Sequence, residues 1–273
     1  MKRYFQIAGF LIVLAVCSAR AEVRPTALEL GYRDMYNLQF DQAHRQFEEW
    51  QGLHPADPLG PVSNAAAYLF SEFDRLHILE SEFFTNNDRF EGRSRPAADP
   101  AVKRAFMAQI DKTKVLADKA LAQNPNDPNA LFASVLMLGL QGDYAALIEK
   151  RDLAGLGYLK DGRVMADHLL RVDPNCYDAY IALGVENYLL SLKPAPIRWL
   201  LRVGGAQTDK ETGLRNLQLT AEKGHYLLPY ARLLLAVAAL RDQDRGKART
   251  LLAGLVQEFP LNHLYVRELS QLQ

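Results

Sequence analysis

The chain is poor in the residues that announce chemistry or covalent stapling. Its 273 residues include only two cysteines, Cys17 and Cys176, so it cannot be a disulfide-rich scaffold. Neither sign of charge is in excess. The 32 basic side chains balance 32 acidic ones, which leaves no positive surplus for nucleic-acid binding by counterion release. The six histidines are scattered and form no His-Glu-x-x-His zinc motif. There is no Gly-x-Ser-x-Gly nucleophile elbow and no Walker phosphate loop. Gly155, Gly157 and Gly162 miss dinucleotide-binding spacing and follow no strand pattern. These absences argue against an enzyme and give no cofactor or metal to expect. A content of 49% hydrophobic and 23% charged residues is that of an ordinary globular chain, not a disordered or polytopic one.

What is present begins with an address. Lys2 and Arg3 precede an apolar run from Ile7 to Val16, and Ala19-Arg20-Ala21 places small residues where a signal peptidase cuts. Residues 1–21 are therefore expected to be a cleaved signal peptide, and residues 22–273 a single domain that is exported, periplasmic or secreted. Removal of Lys2, Arg3 and Arg20 with no acid takes the net charge from zero to −3. Lipoprotein anchoring at Cys17 is the second reading. Leu14-Ala15-Val16-Cys17 looks like a lipobox, but Val16 stands where a small residue is required.

After Glu22 strand alternation is missing, and apolar residues recur at three- and four-residue spacings. Turn signals divide these helical stretches: Pro55-Ala56-Asp57-Pro58, Asn124-Pro125-Asn126-Asp127-Pro128, Asp173-Pro174-Asn175 and Phe259-Pro260-Leu261-Asn262. Asp127-Pro128 reads as a helix cap, and Thr208 with Glu211 as a capping box. Aligning the prolines exposes a column at offsets of four, seven and twelve. Its copies are Ala43-Phe47-Trp50-Pro55, Thr113-Ala117-Ala120-Pro125, Gly162-Ala166-Leu169-Pro174 and Ala248-Leu252-Leu255-Pro260. The first position is small in all four, as a helix that closely approaches its neighbour requires. A second column matches Pro125-Asn126 and Ala130–Ala133 to Pro174-Asn175 and Ala179–Ala182 at a shift of 49.

These columns resemble the tetratricopeptide repeat (TPR), a pair of antiparallel helices recurring about every 34 residues. The resemblance touches most of the chain after residue 22, with degenerate copies and insertions. It implies an all-α fold, a TPR-like α-α superhelix. That is a right-handed solenoid of about five antiparallel pairs over 25–53, 60–123, 127–172, 177–223 and 227–258, closed by a short helix near 262–272. Insertions are expected at 85–99, 145–156 and 191–208. A narrower stretch is similar to the eukaryotic inclusion-body-clearance family of outer-membrane TPR-type proteins. It comprises Gly184, Leu190-Ser191-Leu192-Lys193-Pro194, Gly204-Gly205, Asp209 and Gly213-Leu214. This match covers 184–217 only and supports the fold and that insertion.

The repeat frame puts the first helix of each pair on the concave side. Candidate groove residues are Tyr32, Met35 and Tyr36 from the first pair, Phe132, Leu136 and Leu140 from the third, and Ile181, Val185 and Tyr188 from the fourth. Two readings stand for this stripe. It is either a groove for an extended peptide, a partner helix or an apolar ligand, or it is core filled by the chain's own insertions. Ala195–Arg202 carries Ile197, Arg198, Trp199 and Arg202, a candidate contact with a partner or a membrane interface. The polar stretch Asn86–Pro96 is a surface loop or a binding loop. Glu72, Asp74, His77, Glu80 and Glu82 form an acidic stretch that reads as a solvated face. Cys176 sits at a helix start, where it is either a turn filler or an activated thiol.

The expected function is an exported, non-catalytic scaffold that mediates protein–protein interaction in a cell-envelope assembly. The alternative is a binder of an apolar small molecule or lipid, such as an accessory of an uptake or transport system. The expected partner is a protein, with peripheral membrane or apolar-ligand contact as a possibility and no nucleic acid.

Overall fold

The computed structural model describes residues 24–78, 97–193, 195, 197, 199, 203 and 205–272. The expected signal segment, Cys17, Glu80, Glu82, the stretch Asn86–Pro96, Arg198 and Arg202 lie outside the described residues. Among the described residues the fold is all-α, with eleven α-helices that pack in neighbouring pairs and no strand. The first pair is α1 (Ala27–Tyr36) and α2 (Phe40–Leu53). The second is α3 (Leu59–Arg75) and α4 (Pro100–Gln123). The third is α5 (Pro128–Asp143) and α6 (Asp152–Val172). The fourth is α7 (Tyr180–Ser191) and α8 (Lys210–Lys223). The fifth is α9 (Leu228–Arg241) and α10 (Arg245–Glu258), and α11 (His263–Ser270) ends the chain.

The column read from the prolines is the spine of this packing. Ala43, Thr113, Gly162 and Ala248 are buried, as are Phe47, Ala117, Ala166 and Leu252 one turn later. The structure adds a fifth copy. Gly213, Leu217 and Thr220 in α8 are buried at the same offsets, but His225 stands where the other copies have proline. In every copy the second helix ends eleven residues after the small position, at His54, Asn124, Asp173, Gly224 and Phe259. Gly213 must be small because a Cβ there would lie 2.6 Å from the backbone nitrogen of Tyr188 in α7.

The helix ends are capped as their sequences dictate. Thr26 and Glu29 form a reciprocal capping box. Asp99 and Asp127 cap α4 and α5 just before a proline. The capping box expected at Thr208 is displaced by one residue. Thr208 is buried and Asp209 caps α8, accepting from the Thr212 N–H at 2.6 Å.

The connections alternate between two kinds of corner. Corners from the first helix of a pair to the second turn on left-handed residues that are not glycine: Leu38, His77, Lys150 and Gln243, with φ between 56° and 61°. At three of them a 6→1 backbone bond closes the corner, from Gln39 to Asp34, Ile78 to Phe73 and Asp244 to Ala239. Four of the five return corners are the proline turns. There the N–H of Asp57, Asp127, Cys176 or Asn262 donates to the carbonyl three residues back. The insertion expected at 145–156 is largely helical. A π-helical turn, Tyr144–Ile148, prolongs α5 and α6 starts at Asp152. Pro128–Ile148 is long and apolar enough to cross a membrane, but it packs between α3, α4 and α6.

Three predictions test this framework. Gly213→Ala is expected to cost roughly 1–3 kcal/mol through the forced separation of α7 and α8. Gly254→Ala in α10, where nothing lies within 4 Å of the added carbon, is expected to be neutral or stabilising by about 0.5–1 kcal/mol. Gln243→Gly is expected to stabilise by roughly 1 kcal/mol by relieving its positive φ. Urea denaturation of the three variants checks each sign.

Candidate functional site

The structure brings the first and last described helical regions together. Asn262 Nδ2 donates to the Tyr36 carbonyl at 2.8 Å, and the Leu261 N–H donates to Asn37 Oδ1 at 3.2 Å. Glu29 Oε1 lies 3.1 Å from His225 Nε2. The Tyr36 ring packs on Phe259 at 5.4 Å. Beside this seam Met35, Tyr36, Phe70, Tyr230 and Tyr265 line a mostly apolar cavity of about 30 Å³, the volume of roughly one water molecule.

Tyr226, from the turn between α8 and α9, sits at the centre of the aromatic cluster. Its ring stacks on Tyr32 at 4.8 Å and lies 6.3 Å from Phe132. Its carbonyl accepts the Tyr36 hydroxyl proton at 2.9 Å. Three of the candidate groove residues, from two helices, are therefore gathered around one residue that the sequence did not single out. Tyr32 also stacks on Tyr36, and its hydroxyl accepts from the buried Ser63 at 3.1 Å. Burial pushes Tyr226 up to about 12 and raises Tyr32 and Tyr36 further, so all three stay protonated at neutral pH.

The other candidate groove residues do not join this cluster through any ring or polar contact. Leu136, Leu140, Ile181 and Val185 pack in the apolar core. Tyr188 is buried against the backbone of Gly213, with no hydrogen-bond partner for its hydroxyl among the described residues.

The turn carrying Tyr226 has no proline to fix it. Its order comes from Asp178, a buried carboxylate just before α7. One oxygen accepts the N–H groups of His225 and Leu227, each at 3.0 Å. The other accepts that of Tyr226 at 3.0 Å and lies 3.1 Å from the His225 nitrogen. Burial raises Asp178 above the usual carboxylate range, while those three N–H groups favour its charged form. Gly224 is required beside it, because a Cβ there would meet Asp178 Oδ1 at 2.6 Å.

Two more buried carboxylates anchor the connections. Glu72 accepts from Arg75 at 2.7 and 2.8 Å and from the Asp99 N–H at 2.8 Å, tying the end of α3 to the start of α4. Within the acidic stretch, Glu72 is thus a clasp and not part of a solvated face. Glu186 pairs with Arg163 at 2.8 Å, and Arg163 reaches the Gly205 carbonyl at 3.4 Å. With Asn187 Oδ1, which accepts the Asp209 N–H at 3.2 Å, these contacts pin the far end of the 191–208 segment to the body. Among the described residues no cluster of three potential metal ligands occurs. The Cys176 thiol is pushed up to about 11 by burial, which keeps it protonated.

Ile197, Trp199 and Val203 are exposed, Trp199 at 68%. They belong to the connection between α7 and α8.

Asp143, at the end of α5, has its carboxyl pushed up to about 7 by burial alone. No family model and no curated protein matches the chain.

Asp178→Ala is expected to destabilise the protein by roughly 3–5 kcal/mol, because three N–H groups, that of Leu227 buried, lose their acceptor. Tyr226→Ala is expected to cost about 2–3 kcal/mol through lost ring packing. Chemical denaturation checks both. Asp143 binds its proton more tightly in the folded chain than in the unfolded one, so its contribution to stability declines as pH rises from about 4 to about 7. Asp143→Asn is therefore expected to raise the stability at about pH 8 by on the order of 1–2 kcal/mol, discounted because part of the residue meets solvent, with no gain below about pH 4; melting curves at the two pH values check it.

Proposed function

We propose that the protein is an exported, non-catalytic, TPR-like scaffold that holds a protein partner in a cell-envelope assembly. The observation that carries this reading is the paired helical order built on one recurring column. Five second helices place Ala43, Thr113, Gly162, Gly213 and Ala248 at buried, equivalent positions. Such stacked pairs form a rigid body with a large outer surface and need no chemistry of their own. Export rests on the order of basic start, apolar run and small-residue site in residues 1–21.

Partner binding falls to the outer surface and the corners in this account, because Tyr32, Tyr36 and Phe132 are engaged with Tyr226. Binding of an apolar ligand, the alternative, requires the seam to part, since the cavity there is far below the several hundred Å³ of a ligand pocket.

A C-terminal tag, light crosslinking in intact host cells and purification of the adducts test the proposal. The expected result is one reproducible protein partner recovered from the envelope fraction and absent from a cytoplasmic control. Recovery of the chain alone, or of the uncleaved chain in the cytoplasm, would contradict it.

A further inference from the structure

The end of α7 and the segment that follows it concentrate exposed apolar side chains. Leu189 and Leu192 at the end of α7 are exposed, and Ile197, Trp199 and Val203 follow them in the next segment. A lone exposed leucine is ordinary, but five large apolar side chains exposed within fifteen residues of one another are not. Trp199 and Val203 each leave 68% of their surface in water. Side chains that exposed protrude as tips and do not line a groove.

The charge of the same segment is one-sided. From Asn187 to Thr208 the sequence contains Lys193, Arg198 and Arg202 and no acid. The rest of the chain carries the compensating negative excess, since the whole has no net charge. The base of the segment is rigid. Arg163 and Glu186 meet Gly205 and Gln207, and Asn187 holds Asp209.

Protruding aliphatic tips, one tryptophan and flanking cations without acids match the interface of an anionic bilayer. There tryptophan sits at headgroup depth and each nearby lysine or arginine gains from the negative surface potential. We infer that this segment, centred on Ile197, Trp199 and Val203, is a peripheral docking surface for an anionic lipid membrane. The membrane face and the protein-binding role are separable, and the test below involves no protein partner.

The full chain, exported and purified from its host, is mixed with phosphatidylcholine vesicles containing about one third phosphatidylglycerol, some with brominated acyl chains. The chain has two tryptophans, and Trp50 is held in the body by a 2.8 Å bond to Asp57, so bilayer quenching reports Trp199. The expected result is a blue-shifted, quenched Trp199, with binding weakened at high salt and on vesicles of phosphatidylcholine alone. Ile197→Glu, with the tryptophan retained, is expected to lower the affinity by about tenfold or more without changing the far-ultraviolet spectrum. An unquenched Trp199 would overturn the inference even if the chain floats with vesicles, because the attachment then lies elsewhere. Equal affinity of Ile197→Glu and the natural chain would also overturn it, as would Trp199 becoming protected only by an acidic soluble protein.

Discussion

The closed arrangement depends on one buried carboxylate holding one turn. Four of the five return corners carry proline and satisfy themselves with a local backbone bond. The fifth, 224–227, has no proline, and Asp178 accepts its N–H groups instead. Charged hydrogen bonds of this kind are among the stronger ones available to a folded chain. Their effect is positional. They fix the backbone of Tyr226 so that its ring meets Tyr32 and Phe132 and its carbonyl meets the Tyr36 hydroxyl. The seam between α1 and the 259–265 region then closes around that aromatic centre through Asn262, Asn37 and Phe259.

Three buried carboxylates perform the same kind of task at different corners. Asp178 orders a return turn, Glu72 binds the chain at Asp99, and Glu186 with Arg163 holds the residues before α8. Each brings a distant backbone stretch to a helix end where apolar packing alone would not choose a register. Burying a charge is expensive unless it is fully engaged. The division of labour is therefore clear: the small-residue column sets how closely helices pack, and the buried acids set where the connections go.

Much of this was legible in the sequence. The offsets of four, seven and twelve identified α2, α4, α6 and α10 and the ends of all four, because proline and small residues act locally. The helix pairs fell where the periodicity put them. The fifth column copy, Gly213-Leu217-Thr220, escaped because its stop signal is Asp178, some 47 residues away. The left-handed corners escaped because Leu38, His77 and Gln243 are not residues that announce a positive φ. The aromatic stripe of α1 and α5 was visible, but its occupant was not. Tyr226 lies in a turn, and the contacts that close the seam join residues 190 to 226 positions apart. No periodicity carries information over that span.

The closure of the first and last described helical regions around Tyr226 is best tested by a distance. Spin labels at Arg33 on α1 and Val266 on α11, both exposed, would be placed in a chain with Cys17 and Cys176 replaced by alanine. Double electron–electron resonance should give a single narrow, short distance in the natural background, broadened and lengthened by Asp178→Ala. A broad distribution of long distances in the natural background, or one that Asp178→Ala leaves unchanged, would contradict the account.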